Sequence, residues 1–106
     1  MRKSALLVLP MLAGLSAGAF AATEVIHQKG RIFSSENVAI KKGEKLVFLN
    51  DDSVPHNIYS ASMGNEFNLG SQLPGASTDV SFNEAGEVQV KCAIHPRMTM
   101  TVNVIN

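Results

Sequence analysis

The stretch Gly86-Glu-Val88-Gln-Val90-Lys-Cys92-Ala-Ile-His95-Pro-Arg-Met98-Thr-Met100-Thr-Val102-Asn-Val104 decides the reading of this chain. Val88, Val90 and Cys92 alternate with polar neighbours, and Met100, Val102 and Val104 do the same. A period of two is the mark of a strand with one buried face. Two strands are therefore predicted, joined by a short loop after Cys92, with strand pairing resuming at about Thr99. The shared parity of Val88, Val90 and Cys92 points the cysteine sulfur inward at a strand end, where loop and core meet.

Outward from that loop the chain keeps the same character. Val38 to Leu49 gives two extended runs about Lys42-Gly43-Glu44, the pattern of a β-hairpin. Val80 and Phe82 alternate likewise, and Gly64, Gly70, Pro74-Gly75 and Glu84-Ala-Gly86 punctuate the runs as turns. No stretch sustains helical periodicity; Asn65 to Leu69 has room for one turn at most. Several short strands at close spacing predict an all-β single domain, a small sandwich or barrel. The segment 61–78, rich in Gly, Ser and Asn, is expected to be a variable loop or a substitute strand.

The start of the chain has a different composition. Arg2 and Lys3 precede an apolar run from Ala5 to Leu15, and Ala19-Phe20-Ala21 fits a small-residue cleavage site. The run is shorter than the roughly 20 apolar residues that span a bilayer. Residues 1–21 are therefore expected to be a cleaved secretory signal, and residues 22–106 the mature domain, located in the periplasm. The whole chain carries nine basic and nine acidic residues; without Arg2 and Lys3, seven basic residues face nine acidic ones, a net of −2. The basic residues are few and scattered, which excludes a nucleic-acid or anionic-membrane surface. An exported domain this small often needs disulfides, yet the single cysteine cannot form one internally. Metal ligation accounts for Cys92 economically.

The donors for such a metal are at hand. Cys92, His95 and Met98 lie within seven residues, and His56 stands upstream in Val54-Pro-His56-Asn57. The 35 residues between His56 and Cys92 can hold two strands and a long connection, enough to return His56 to the loop. A thiolate, two imidazoles and a thioether are the ligand set of a blue-copper site, since soft sulfur suits Cu(I) and imidazole suits either oxidation state. Zinc also takes Cys and His, but a thioether in place of a second thiolate counts against a structural zinc site. Met100 competes with Met98 as the axial donor; Met98 is preferred on loop spacing, and the choice stays open. Met63 is expected to be a packing or loop residue, and His27 a surface or strand residue.

Taken together, Pro55-His56-Asn57 and Cys92-x-x-His95-Pro96-x-Met98 at a strand-to-strand loop resemble the cupredoxin, or type 1 blue-copper, family. The loop spacing most resembles the amicyanins, and Asn50-Asp-Asp-x-x-Pro-His-Asn is similar to the plastocyanins. The resemblance spans about Val38 to Val104. It implies a Greek-key β-sandwich with one copper ion per chain at one end, and electron transfer through the exposed edge of the loop histidine. It also implies that the Asn57 side chain ties the histidine segment to the cysteine loop. On this reading the chain is no enzyme but a periplasmic one-electron carrier, a monomer whose partners would be a dehydrogenase or a c-type cytochrome. The alternative is a periplasmic protein that delivers or buffers Cu(I). Arg97, beside the loop, could steer an acidic redox partner.

Overall fold

A computed structural model describes residues 24–106; the expected signal segment 1–21 lies outside the described residues. Among the described residues nine strands form in chain order: β1 (Glu24–Lys29), β2 (Ile32–Phe33), β3 (Asn37–Lys41), β4 (Lys45–Asn50), β5 (Ile58–Ser60), β6 (Phe67–Asn68), β7 (Ser77–Ser81), β8 (Gly86–Cys92) and β9 (Thr99–Ile105). No helix occurs among the described residues. The strands build two sheets, one in the order β2-β1-β4-β7 and the other β3-β9-β8-β5-β6. The β1–β4 and β3–β9 pairs are parallel and the remaining ladders antiparallel. The all-β sandwich expected from the strand patterning is present.

Alternation explains how the sheets meet. Strand β8 buries Val88, Val90 and Cys92 while Glu87, Gln89 and Lys91 stay outside, and β9 buries Met100, Val102 and Val104. From the other sheet come Ile26, Leu46, Phe48 and Val80, with Phe82 just beyond β7. Four aromatic rings run through this interior. Phe33 meets Phe48 edge-on at 6.4 Å, Phe48 lies 6.1 Å from Phe67, and Phe67 meets Phe82 edge-on at 5.9 Å. Edge-to-face pairs at such distances add attraction to the area buried.

One expected pairing fails. Strands β3 and β4 do not form a hairpin: β3 pairs β9 in one sheet, and β4 pairs β1 and β7 in the other. The Lys42-Gly43 turn arches across the sandwich. There the Lys42 N–H donates to Ile105 O (2.7 Å), and the Gly43 N–H to Phe82 O (2.7 Å). Both strands carry an apolar face, Val38 and Ile40 on one and Leu46 and Phe48 on the other. Placing those faces opposite each other across the core buries both, and Gly43, at φ 91°, supplies the left-handed bend. Segment 61–78 is likewise more ordered than its composition suggests. It contributes β6 beside β5, and Gln72 bridges to His56.

Candidate metal centre

At the end of the sandwich where β8 stops and β9 begins, His56, Cys92 and His95 converge, with one donor atom from each lying within 4.8 Å of the others. His56 Nδ1 is 3.1 Å from His95 Nδ1, and Cys92 Sγ lies 3.7 Å from the first and 3.8 Å from the second. A single first-row ion such as zinc holds nitrogen at about 2.0–2.1 Å and thiolate sulfur at about 2.3 Å. Donors sharing such an ion then lie no more than about 4.2 Å (N to N) or 4.4 Å (S to N) apart. All three observed separations fall inside those limits, so the donor set fits one ion.

Local structure places each donor. Cys92 closes β8 with its side chain in the core (2% exposed), as the parity of Val88 and Val90 requires. Its sulfur accepts from the Asn57 N–H at 3.4 Å, and the Ala93 N–H donates to Asn57 O at 2.9 Å. The tie between the histidine segment and the cysteine loop therefore runs through the backbone of Asn57. Its side chain departs from the expectation: Asn57 Nδ2 donates to Asn68 Oδ1 on β6 at 2.8 Å.

The loop folds tightly back on itself. The Met98 N–H donates to His95 O (2.9 Å), and the Cys92 N–H to Met98 O (3.2 Å). Continuing the β8–β9 ladder one step beyond Lys91↔Thr99 sets Met98 opposite Cys92, whereas Met100 faces Val90 one step deeper. Both methionines are buried and share one parity; Met98 is the one set opposite Cys92.

His56 is wholly buried and held from two sides. Its backbone exchanges hydrogen bonds with Gln72, N–H to O at 3.0 Å and O from N–H at 2.7 Å. The ring Nε2–H donates to Asp52 Oδ2 at 2.9 Å. Because an ionised carboxylate only accepts, the proton is fixed on Nε2, which leaves the Nδ1 lone pair directed at Cys92 and His95. The His56 hydrogen bond, followed by the Arg31 N–H (3.1 Å to Oδ2), holds the Asp52 pKa down to about 2. His95 is half-buried, and its pKa is lowered from 6.5 first by desolvation and then by the charges of His56 and Arg31. A depressed pKa keeps the imidazole neutral, the form that binds metal.

Beneath His56 lies a polar floor that the sequence did not announce. Gln28, Asn50 and Gln72 are buried. Gln28 Nε2 donates to Gln72 Oε1 (2.8 Å), Gln72 Nε2 to Phe48 O (2.8 Å), and Asn50 Nδ2 to Val54 O and Gln72 O (2.9 Å each). Asp52 stands four residues before His56, within a segment whose likeness to other sequences was visible, but nothing in that likeness marked its carboxylate. Gln72 carried no signal at all. His27 lies on β1 as expected, with Nδ1 paired to the Asp51 carboxylate, and Met63 is an exposed loop residue.

Comparison with known proteins agrees with this geometry. The family model for copper-binding proteins of the plastocyanin/azurin family matches residues 21–105. A purple cupredoxin from Nitrosopumilus maritimus is 30% identical, with a TM-score of 0.68 over 76% of this chain and 97% of that one. A reduced Cu(I) form of an amicyanin variant at pH 4 shares 19% identity and a TM-score of 0.71 over 78% and 82% of the two chains. The copper-containing nitrite reductase from Thermus scotoductus SA-01 shares 20% identity and a TM-score of 0.73, covering 79% of this chain but 22% of that one. The latter two likenesses show the fold alone. No curated protein matches in sequence. With the family model spanning the sandwich from end to end and the purple cupredoxin matched over nearly its whole length, the chain belongs to the plastocyanin/azurin family of copper-binding proteins, the cupredoxins.

Proposed function

We propose that the chain is a one-electron carrier in which His56, Cys92, His95 and Met98 would hold one type 1 copper. The observation that carries this reading is the pairing of a buried histidine with a half-exposed one around a single buried sulfur. Copper, when bound, supplies a one-electron couple between Cu(I) and Cu(II). The protein's own residues do the rest. The Asn57 N–H stabilises the Cys92 thiolate, Asp52 fixes the His56 tautomer, and the short hydrogen-bonded loop keeps His95 and Met98 in place. His95 turns Nδ1 inward while its ring lines the surface, giving electrons a short path to a docked protein.

On the same reading residues 1–21 are a cleaved export signal, residues 22–106 act in the periplasm, and the redox partners are a dehydrogenase or a c-type cytochrome. Titration of the purified chain with Cu(II) tests the proposal. The expected result is an intense thiolate charge-transfer band saturating at one copper per chain, with narrow copper hyperfine splitting, bleached by reductant and restored by oxidant without copper loss. Tight binding of Cu(I) with no coloured Cu(II) form would move the function to copper delivery.

A further inference from the structure

Strand β1 breaks its own pattern. Its inward face carries Ile26 and then Gln28, both fully buried, where alternation calls for a second apolar side chain. A buried amide is unfavourable unless its hydrogen bonds are made. Gln28 makes them at one end only: Nε2 donates to Gln72 Oε1 at 2.8 Å, while Oε1 has no partner within the protein. Among the described residues it is the only buried side-chain nitrogen or oxygen left in that position.

Turning the amide over does not cure this. Phe48 O is an acceptor only, so the Gln72 atom 2.8 Å from it is Nε2. Gln72 Oε1 then faces Gln28, and the Gln28 atom that meets it is the donor, Nε2. A methionine, of similar size, would bury no orphaned oxygen. What glutamine adds at this position is therefore its grip on Gln72.

That grip leads to a metal donor. The stretch from Asp51 to His56 lies outside the nine strands, and three buried amide residues tie it down. The Asp51 N–H donates to Gln28 O (3.0 Å) and the Asp52 N–H to Asn50 Oδ1 (2.8 Å). Val54 O accepts from Asn50 Nδ2 (2.9 Å), and His56 exchanges both backbone bonds with Gln72. Gln28 thus holds the stretch twice, at Asp51 through its own carbonyl and at His56 through Gln72. Polar residues that break a strand's pattern are commonest where function asks for them.

We infer that Gln28 is a positioning residue for the metal centre: by fixing the Gln72 amide it holds the His56 backbone, and with it Nδ1, within reach of Cys92 and His95. Its side chain hydrogen-bonds to none of the donors and acts through Gln72 alone. The inference rests on the copper reading for the identity of the bound ion. The grip on His56 is a property of the chain itself.

The test compares Gln28→Met, which keeps the size and removes the donor, with Val104→Ala. Val104 is a buried residue at the end of the β8–β9 ladder farthest from Cys92, so its truncation lowers stability without touching the network. In the metal-free chain, amide hydrogen exchange at His56 and Gln72 is expected to quicken about tenfold more than at Val90 in Gln28→Met. Val104→Ala is expected to show no such excess. Zn(II) affinity, from competition with a chelator, is expected to fall about tenfold in Gln28→Met and to stay within about twofold of the parent in Val104→Ala. In a Gln72→Leu background the same change at Gln28 is expected to have no further effect on affinity, because the contact it acts through is gone. Gln28→Leu, read the same way, replaces the methionine variant if that one fails to fold. Equal quickening at all three amides, an affinity loss as large in Val104→Ala, or an undiminished effect in the Gln72→Leu background would overturn the inference. Exchange in the metal-free chain decides it even if the copper reading fails.

Discussion

Asp52 decides which nitrogen His56 offers. Its carboxylate accepts a hydrogen bond from Nε2–H, which keeps the proton there and leaves the Nδ1 lone pair facing the sulfur. Partners of this kind typically change metal affinity 10–100-fold, so Asp52→Asn is expected to weaken Cu(II) or Zn(II) binding by about that factor, measured by competition with a chelator of known affinity. The sign of the pH effects follows from the two shifted groups. The folded protein holds the Asp52 pKa below the ordinary 3.8. Its stabilisation is therefore complete above 3.8 and lost as pH falls through about 2. His95 is depressed below 6.5, so the unfolded chain takes up that proton first and stability falls as pH drops below 6.5. In the metal-free protein the His95 ring protons are expected to titrate with a midpoint below 6.5 in NMR spectra; a midpoint at or above it would remove the argument. Cys92, His95 and His56 were legible in the sequence because residue type and spacing carry metal chemistry directly. Asp52 and the direction of the Asn57 side chain were not, because a carboxylate or an amide has many uses and only the folded backbone selects one.

Among the elements, β8 and β9 could be read from alternation alone, since the same parity that buries Val88 and Val102 fixes the inward sulfur. Alternation does not say which sheet a strand joins. Strands β3 and β4 have the pattern of a hairpin and yet lie in different sheets, because an arch between two apolar faces satisfies the same pattern. Segment 61–78 left open whether it was a variable loop or a substitute strand, because its order comes from buried polar contacts, and these leave no periodicity; it supplies β6. Gln72 shows what they contribute. It is 3% exposed, pairs with the backbone of His56, and donates to Phe48 O. Gln72→Leu would leave Phe48 O and Gln28 Nε2 without those partners. An unsatisfied buried polar group costs about 1–3 kcal/mol. The variant should therefore lose at least about that much stability by urea denaturation, and its looser His56 segment should bind metal more weakly than the parent.

Across the whole molecule, the aromatic seam draws on β2, β4, β6 and the residue after β7, while the metal donors sit at the end of β8 and in the loops beside it. Phe48 is fully buried between Phe33 and Phe67; truncating a buried phenylalanine to alanine costs about 3–5 kcal/mol, and Phe48→Ala is expected to fall in that range by the same assay. The described chain has a free cysteine and no cross-link, so a metal joining His56 to the β8–β9 loop would be its staple. A ligand present at about 1,000 times its Kd stabilises the folded state by about 4 kcal/mol. For a domain of this size that corresponds to a rise in Tm of roughly 15–30 °C, measurable by calorimetry with and without copper. The fold class was open to sequence reasoning because it rests on patterning summed over many strands. The central claim is most directly tested by copper-edge X-ray absorption on the Cu(I) and Cu(II) forms. One short copper–sulfur and two copper–nitrogen distances, nearly the same in both oxidation states, are predicted; copper bound without the thiolate, or by a different ligand set in each state, would contradict it.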